Sequence, residues 1–227
     1  MPRRHVVITG TGRAGTTFLV QLLTNLGLET GYTSDNLLLD EFSRGGLEHD
    51  IRREDAPYIV KSPRFCDYAE EVLSRDDILI DHVFIPVREL QAAAESRRYA
   101  HRRVVSQAPL LWRLVNKIEP LEGVRGGLLR INHQLAHGLI HRLRPLFSVE
   151  REQESILLQQ MYKLALALSK RSLPVTFLHY PTLVKDSLYL YGKLQPILGT
   201  VTYSRFDSVF SGTLRKEWIH SFNKNDL

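Results

Sequence analysis

Short apolar runs alternate along the chain with segments whose apolar residues recur at helical spacing. Residues 5–9 contain Val6-Val7-Ile8 and read as a strand. Residues 16–26 follow with Phe18, Leu19, Leu22, Leu23 and Leu26 on one helical face. A loop-rich stretch with Gly31, Asp35, Gly45 and Gly46 leads to a second strand at 58–61, stopped by Ser62-Pro63. Residues 66–74 read as a helix and 82–87 as a third strand, with Pro86 near its end. An alanine-rich helix is expected over 90–103. Residues 104–146 read as a helical insertion with Leu128, Ile131, Leu135, Leu139 and Leu143 in one stripe. A helix starting near Ser148 has Glu150, Glu152 and Glu154 in or near its first turns and Lys170 and Arg171 at its end, which suits the helix dipole. A fourth strand at 175–178 and a helix over 183–198, closed by Gly199, complete the series. Alternation of this kind predicts one α/β domain, a parallel sheet with helices on both faces and a helical insertion.

Composition narrows the class. The chain has 227 residues, 43% hydrophobic and 24% charged, which excludes a disordered or fibrous protein. Cys66 is the only cysteine, so no internal disulfide can form and a reducing compartment is expected. No segment approaches the ~20 apolar residues of a membrane span, and Gly10 interrupts the first apolar run, so neither a span nor a signal peptide is expected and the reading is cytoplasmic. The net charge of +5 is uneven: residues 97–146 hold nine Arg and one Lys against Glu119 and Glu122. Such a segment suits an anionic partner or a solvated helix face. His133, His137 and His141 share one helix face within it, but no fourth ligand is evident and no metal is expected.

The chemistry begins at Gly10-Thr11-Gly12-Arg13-Ala14-Gly15-Thr16-Thr17, between the first strand and the first helix. Gly10 and Gly15 have the spacing of a phosphate-binding loop, in which backbone N–H groups and a helix N-terminus face an anion. The Walker pattern places Lys where this chain has Thr16; the cation here is Arg13. The third strand leads to Arg88 rather than to a carboxylate for Mg²⁺. Both departures weigh against Mg-nucleotide chemistry.

Arg13-Ala14-Gly15-Thr16-Thr17 resembles the phosphosulfate loop of the sulfotransferase family, a Lys or Arg and a small residue before Gly-Thr-Thr. Three further segments agree in order. Arg88 follows a strand and Ser96 lies eight residues on, like the pair that carries the donor's 3′-phosphate in that family. Tyr180 ends a strand, as does a tyrosine near the adenine in cytosolic members, with Pro181-Thr182 in place of an acidic pair. Lys61-Ser62-Pro63 lacks the histidine of cytosolic members and is similar to several carbohydrate sulfotransferases. Leu214-Arg215-Lys216 is a fainter echo of a basic C-terminal segment. The resemblance covers residues 5–103 and 174–220 and leaves the insertion, about 104–172, unaccounted for. It implies a P-loop-type fold and a 3′-phosphoadenylyl sulfate (PAPS) donor, released as adenosine 3′,5′-bisphosphate, with no metal. The implied donor site is Gly12, Arg13, Ala14, Gly15, Thr16, Thr17, Arg88, Ser96 and Tyr180.

Sulfuryl transfer to a hydroxyl would need cations where charge develops, a role suited to Arg13 and Lys61. It would also need a base for the acceptor's proton. Candidates in the 27–57 loop are Asp35, Asp40, Glu41, Glu48, His49 and Asp50; the resembling carbohydrate and protein-tyrosine enzymes carry an acidic base shortly after the P-loop helix, which implies Asp35 first and Glu41 next. Trp112, Arg113, Lys117 and Arg130 could line a cleft for an acceptor, a carbohydrate or a small molecule. Two other classes stay open. A P-loop kinase of a small metabolite or nucleotide would explain the loop but not Thr16 or the Arg88/Ser96 pair. A nucleic-acid-binding protein would explain the basic segment but not the loop, so no nucleic-acid partner is expected.

Overall fold

The computed structural model describes residues 2–10, 12–37, 46–107 and 152–215. Four parallel strands, β1 (Arg3–Ile8), β2 (Ile59–Lys61), β3 (Ile78–Val87) and β4 (Val175–His179), form one sheet in the order β2-β1-β3-β4. Around it lie α1 (Thr16–Asn25), α2 (Ala69–Leu73), α3 (Leu90–Gln107), α4 (Gln153–Ser169), α5 (Ser187–Leu198) and α6 (Tyr203–Thr213). Val7 pairs with Val60 on one side and Val83 on the other, and Ile85 pairs with Phe177.

The run Val6-Val7-Ile8 is apolar throughout because β1 is covered on both faces. Val6, Ile8, Phe84 and Leu178 pack with Leu19, Leu22 and Leu23 of α1, Leu190 and Leu194 of α5, and Phe206 and Phe210 of α6. Val7, Val60, Val83 and Ile85 pack on the other face with Phe65, Val72, Leu164 and Leu168. Each fully buried leucine contributes roughly 1.5–3 kcal/mol by leaving water. Leu22→Ala, in the middle of the first cluster, would cost about 2–5 kcal/mol.

The α/β architecture expected from the pattern is present. The boundaries differ where polar residues break an apolar run. β3 starts at Ile78, four residues before the expected start, because Asp81 and His82 interrupt its sequence. Asp81 accepts from Arg4 Nε at 3.1 Å and from the Tyr58 hydroxyl at 3.0 Å; His82 Nε2 meets Thr176 Oγ1 at 2.8 Å and its ring stacks on Phe84. Pro86 is tolerated in this central strand for a geometric reason. The Phe84 carbonyl accepts from Thr9 N at 3.0 Å, so by the two-residue period Pro86 faces β1 as well, where β1 has already ended. The close neighbour there is Gly10, on which a Cβ would lie 3.0 Å from the Pro86 carbonyl oxygen.

The helix expected over 66–74 is split into a 3-10 turn, Phe65–Asp67, and α2. The helix expected from 183 is also split. A 3-10 turn covers Thr182–Val184 after the cis Tyr180-Pro181 bond, and α5 starts where the Asp186 side chain accepts from Tyr189 N at 2.9 Å. The helix expected near Ser148 is α4, beginning at Gln153; Glu154 in its first turn pairs with Arg98 at 2.6 Å. The closing helix α6 was not among the expected elements, although Thr202 caps it and Phe206, Phe210 and Thr213 have helical spacing. Of the expected insertion, residues 104–107 extend α3 and α4 lies at its far end, whereas residues 108–151, with His133, His137, His141 and the leucine stripe, lie outside the described residues. No described helix is long and apolar enough to cross a membrane.

Candidate functional site

In a parallel sheet every strand delivers its C-terminal end to the same edge, where open α/β folds place ligands. Each of the four strands brings one expected residue there. The glycine-rich loop follows β1, Lys61 ends β2, and Arg88 and Tyr180 come directly after β3 and β4. Ser96 is on α3, which follows Arg88.

The loop turns through left-handed backbone, with Gly12 at φ +69°, Arg13 at +59° and Gly15 at +89°. Gly15 is the N-cap of α1, and its carbonyl accepts the amide of Leu19 at 3.1 Å. A Cβ on Gly15 would sit 2.9 Å from Leu183 Cδ1 and 3.5 Å from Tyr180 Cδ2, so only glycine admits this packing. Ala14 and Thr16 are buried and fasten the loop to the core, whereas Gly12, Arg13, Gly15 and Thr17 are partly exposed. Thr9, just before the loop, is buried, and its hydroxyl has no hydrogen-bond partner among the described residues.

Arg13 is the junction of the site. Its Nε donates to Ser96 Oγ at 3.3 Å, and its carbonyl accepts from Arg88 Nη1 at 3.2 Å. Arg88 lies over the Tyr180 ring, with its guanidinium carbon 4.6 Å from the centroid, a cation–π arrangement. Burial pulls the Arg88 pKa down, opposed by Tyr180 and Glu89. Burial pushes the Tyr180 phenol up, opposed by Arg88 and Arg13.

Lys61 reaches the start of α1 from β2. Its side chain is 2% exposed, and Nζ donates to Thr17 Oγ1 at 3.0 Å and to the Gly46 carbonyl at 2.5 Å. Glu48 Oε1 pairs with it at 3.4 Å. Burial lowers the Lys61 pKa; Glu48 opposes that shift and Arg13 adds to it. A buried ammonium therefore stands beside the helix N-terminus without occupying the Walker position.

The candidate bases separate by environment. Glu48 is half-exposed and lies at Lys61, Asp50 is clamped by Arg52 at 2.7 Å, and the His49 ring packs at a tilt against Tyr32, with centroids 4.8 Å apart. Asp35 is exposed on a 3-10 turn, Ser34–Asn36, and no described hydrogen bond or ion pair joins it to Arg13 or Lys61. Asp40 and Glu41 lie outside the described residues, as do Trp112, Arg113, Lys117, Arg130 and Lys216. Leu214 packs against the core beside α1, and Arg215 follows it. Among the described residues no group of three or more His, Cys, Asp or Glu is placed to hold a metal ion.

Sequence reading missed Arg97. A Cβ on Gly12 would lie 3.9 Å from Arg97 Nη2, and that nitrogen donates to Gln160 Oε1 at 2.9 Å. Nothing in the basic run that starts at Arg97 marks it out; its place four residues after Ala93 on α3 does.

The edge thus gathers glycine-rich backbone, a helix N-terminus, three guanidinium groups and an ammonium, an arrangement able to bind an anion with more than one charged group. No protein-family model, no curated protein and no solved structure matches this chain.

Proposed function

We propose that the protein is a sulfotransferase that moves a sulfuryl group from PAPS to a hydroxyl of an acceptor, a carbohydrate or a small molecule. One observation carries the reading: Ser96, from α3, and Arg88, from the end of β3, both hydrogen-bond to Arg13 of the loop. Spacing along the sequence only aligns these residues, whereas contact between them makes a single anion site reasonable. The orphaned Thr9 hydroxyl at the loop entrance and the glycine-only backbone at Gly15 suit a ligand that approaches the main chain closely.

PAPS supplies an activated sulfuryl group; the chain's residues bind it and move one proton. Arg13 and the amides of Gly15, Thr16 and Thr17 stabilise the charge that grows on the leaving phosphate oxygen as the S–O bond to it breaks. Lys61 holds the sulfuryl oxygens. Arg88 and Ser96 hold the 3′-phosphate, and the Tyr180 ring, backed by Arg88, offers a face to the adenine. Glu48 accepts the proton of the acceptor hydroxyl as its oxygen bonds to sulfur. Its pairing with Lys61 favours it over Asp35 for this role.

The test is transfer of labelled sulfuryl from PAPS to a panel of sugar and small-molecule alcohols. Turnover on any of them, abolished in Arg13→Ala, supports the reading. Absence of turnover together with absence of adenosine 3′,5′-bisphosphate binding rejects it. A P-loop kinase is the second reading, because Lys61 at the start of α1 would serve a nucleoside triphosphate equally well; Mg-ATP is therefore a comparison ligand.

A further inference from the structure

An ammonium has three N–H donors, and at Lys61 each has an acceptor. Thr17 Oγ1 lies 3.0 Å from Nζ, the Gly46 carbonyl 2.5 Å and Glu48 Oε1 3.4 Å. The side chain is 2% exposed, so water does not share in this shell. An anionic oxygen therefore reaches Lys61 only by replacing one of the three.

The three are not equally replaceable. Thr17 stands in the first turn of α1, beside the loop. Gly46 offers a backbone carbonyl, and the chain that follows it is pinned: Leu47 and Ile51 are buried, and His49 N donates to the Lys61 carbonyl at 3.1 Å. Glu48 belongs to the same pinned backbone, yet its side chain is half-exposed and its contact is the longest. Among the described residues Lys61 is its one ion-pair partner. Rotation of the Glu48 side chain takes the carboxylate into water while the backbone stays in place. An incoming phosphate or sulfuryl oxygen replaces one negative oxygen by another, so the buried ammonium is never left unpaired.

We propose that Glu48 is a built-in competitor for the anion subsite at Lys61, and that an anionic oxygen of the ligand binds there by displacing its carboxylate. This rests on the anion-binding reading of the loop and couples its two halves. Arrival of the donor at Lys61 frees the carboxylate that takes the acceptor's proton.

The experiment is calorimetric titration of the full chain with adenosine 3′,5′-bisphosphate, inorganic sulfate and Mg-ATP, each separately at low salt. Wild type is compared with Glu48→Gln, Lys61→Gln and the double variant, with melting temperatures recorded alongside. Glu48→Gln removes the competing charge and keeps Lys61, so anion affinity is expected to rise roughly two- to tenfold. Lys61→Gln weakens binding, and adding Glu48→Gln to it brings no gain, because the competition runs through one ammonium. Glu48→Asp, with its carboxylate drawn back by one methylene, shows a smaller gain and serves if Glu48→Gln folds poorly. A Glu48 that only braced the site would give unchanged or weaker binding when removed, and that result overturns the proposal. An equal gain in the Lys61→Gln background also overturns it. Should Mg-ATP bind and the bisphosphate not, the donor reading fails and the exchange is judged on Mg-ATP. Binding seen in Glu48→Gln but not in wild type supports the exchange; binding of no probe by either removes both readings.

Discussion

Arg13 Nε donates to Ser96 Oγ at 3.3 Å, across 83 residues of sequence. The bond ties the glycine-rich loop to α3 and fixes a guanidinium whose backbone, at φ +59°, is one an L-residue adopts only at a cost of about 1–2 kcal/mol. A strained cation at the centre of a site suggests a function that the strain serves.

That strain separates stability from activity at one position. Arg13→Gly and Arg13→Ala both remove the guanidinium, and each is expected to cut sulfuryl transfer by about 100-fold or more. Arg13→Gly relieves the left-handed backbone, so it should be more stable than Arg13→Ala by about 1 kcal/mol. Chemical denaturation and turnover of the two variants check this. Equal stability would show that the backbone at Arg13 is relaxed.

Gly15 leaves no room for a side chain. Gly15→Ala places a methyl 2.9 Å from a tip carbon of fully buried Leu183, at φ +89°. The backbone cost and the displaced leucine together predict a loss of roughly 2–3 kcal/mol. For a chain of this size that lowers the melting temperature by roughly 5–10 °C. A melting curve coincident with wild type would contradict the close packing of Tyr180 and Leu183 on the loop.

The choice of base predicts a contrast. Glu48→Gln should lower kcat by about 100-fold or more, while Asp35→Asn leaves it near wild type. Lys61 loses its paired carboxylate in Glu48→Gln, so bisphosphate affinity is measured beside kcat to separate proton transfer from donor binding. A large loss in Asp35→Asn with none in Glu48→Gln would reverse the assignment.

Stability should fall in mild acid for reasons outside the site. Burial holds His5, His49 and His82 below the ordinary imidazole value of 6.5. Arg3 reinforces the shift at His5, and its bond to the Pro57 carbonyl, Glu29 and Asp81 oppose it. The unfolded chain therefore takes up these protons first. The contribution is complete above the unfolded value and is lost as pH falls through the lower folded values. The melting temperature should drop between about pH 7.5 and about pH 5.5, and His5→Asn should reduce the drop. A flat profile over that range would contradict neutral burial of these rings.

The sheet was legible because Val6-Val7-Ile8 and Val83-Phe84-Ile85 are unbroken apolar runs, the signature of strands covered on both faces. The start of β3 was not legible, because Asp81 and His82 find their partners, Arg4, Tyr58 and Thr176, only in the folded state. The loop around Arg13 could be picked out by its glycine spacing after a strand, and Lys61, Arg88, Ser96 and Tyr180 by the resemblance of their segments to the sulfotransferase family. Their convergence depends on strand order, which spacing does not contain. Glu48 stood among six carboxylate and histidine candidates, and among the four described ones only its approach to Lys61 separates it. Arg97 was hidden in a basic run, since its bond to Gln160 joins it to a helix that spacing along the chain does not bring near.

The central claim, that this loop binds the sulfuryl donor, is tested most directly by thermal unfolding with adenosine 3′,5′-bisphosphate beside Mg-ATP. A ligand at a hundred times its dissociation constant adds about 2.7 kcal/mol, which for this size raises the melting temperature by roughly 5–10 °C. The account predicts that rise with the bisphosphate, its loss in Arg88→Ala, and no comparable rise with Mg-ATP. A rise with Mg-ATP alone would contradict it and make the chain a kinase with an unusual loop.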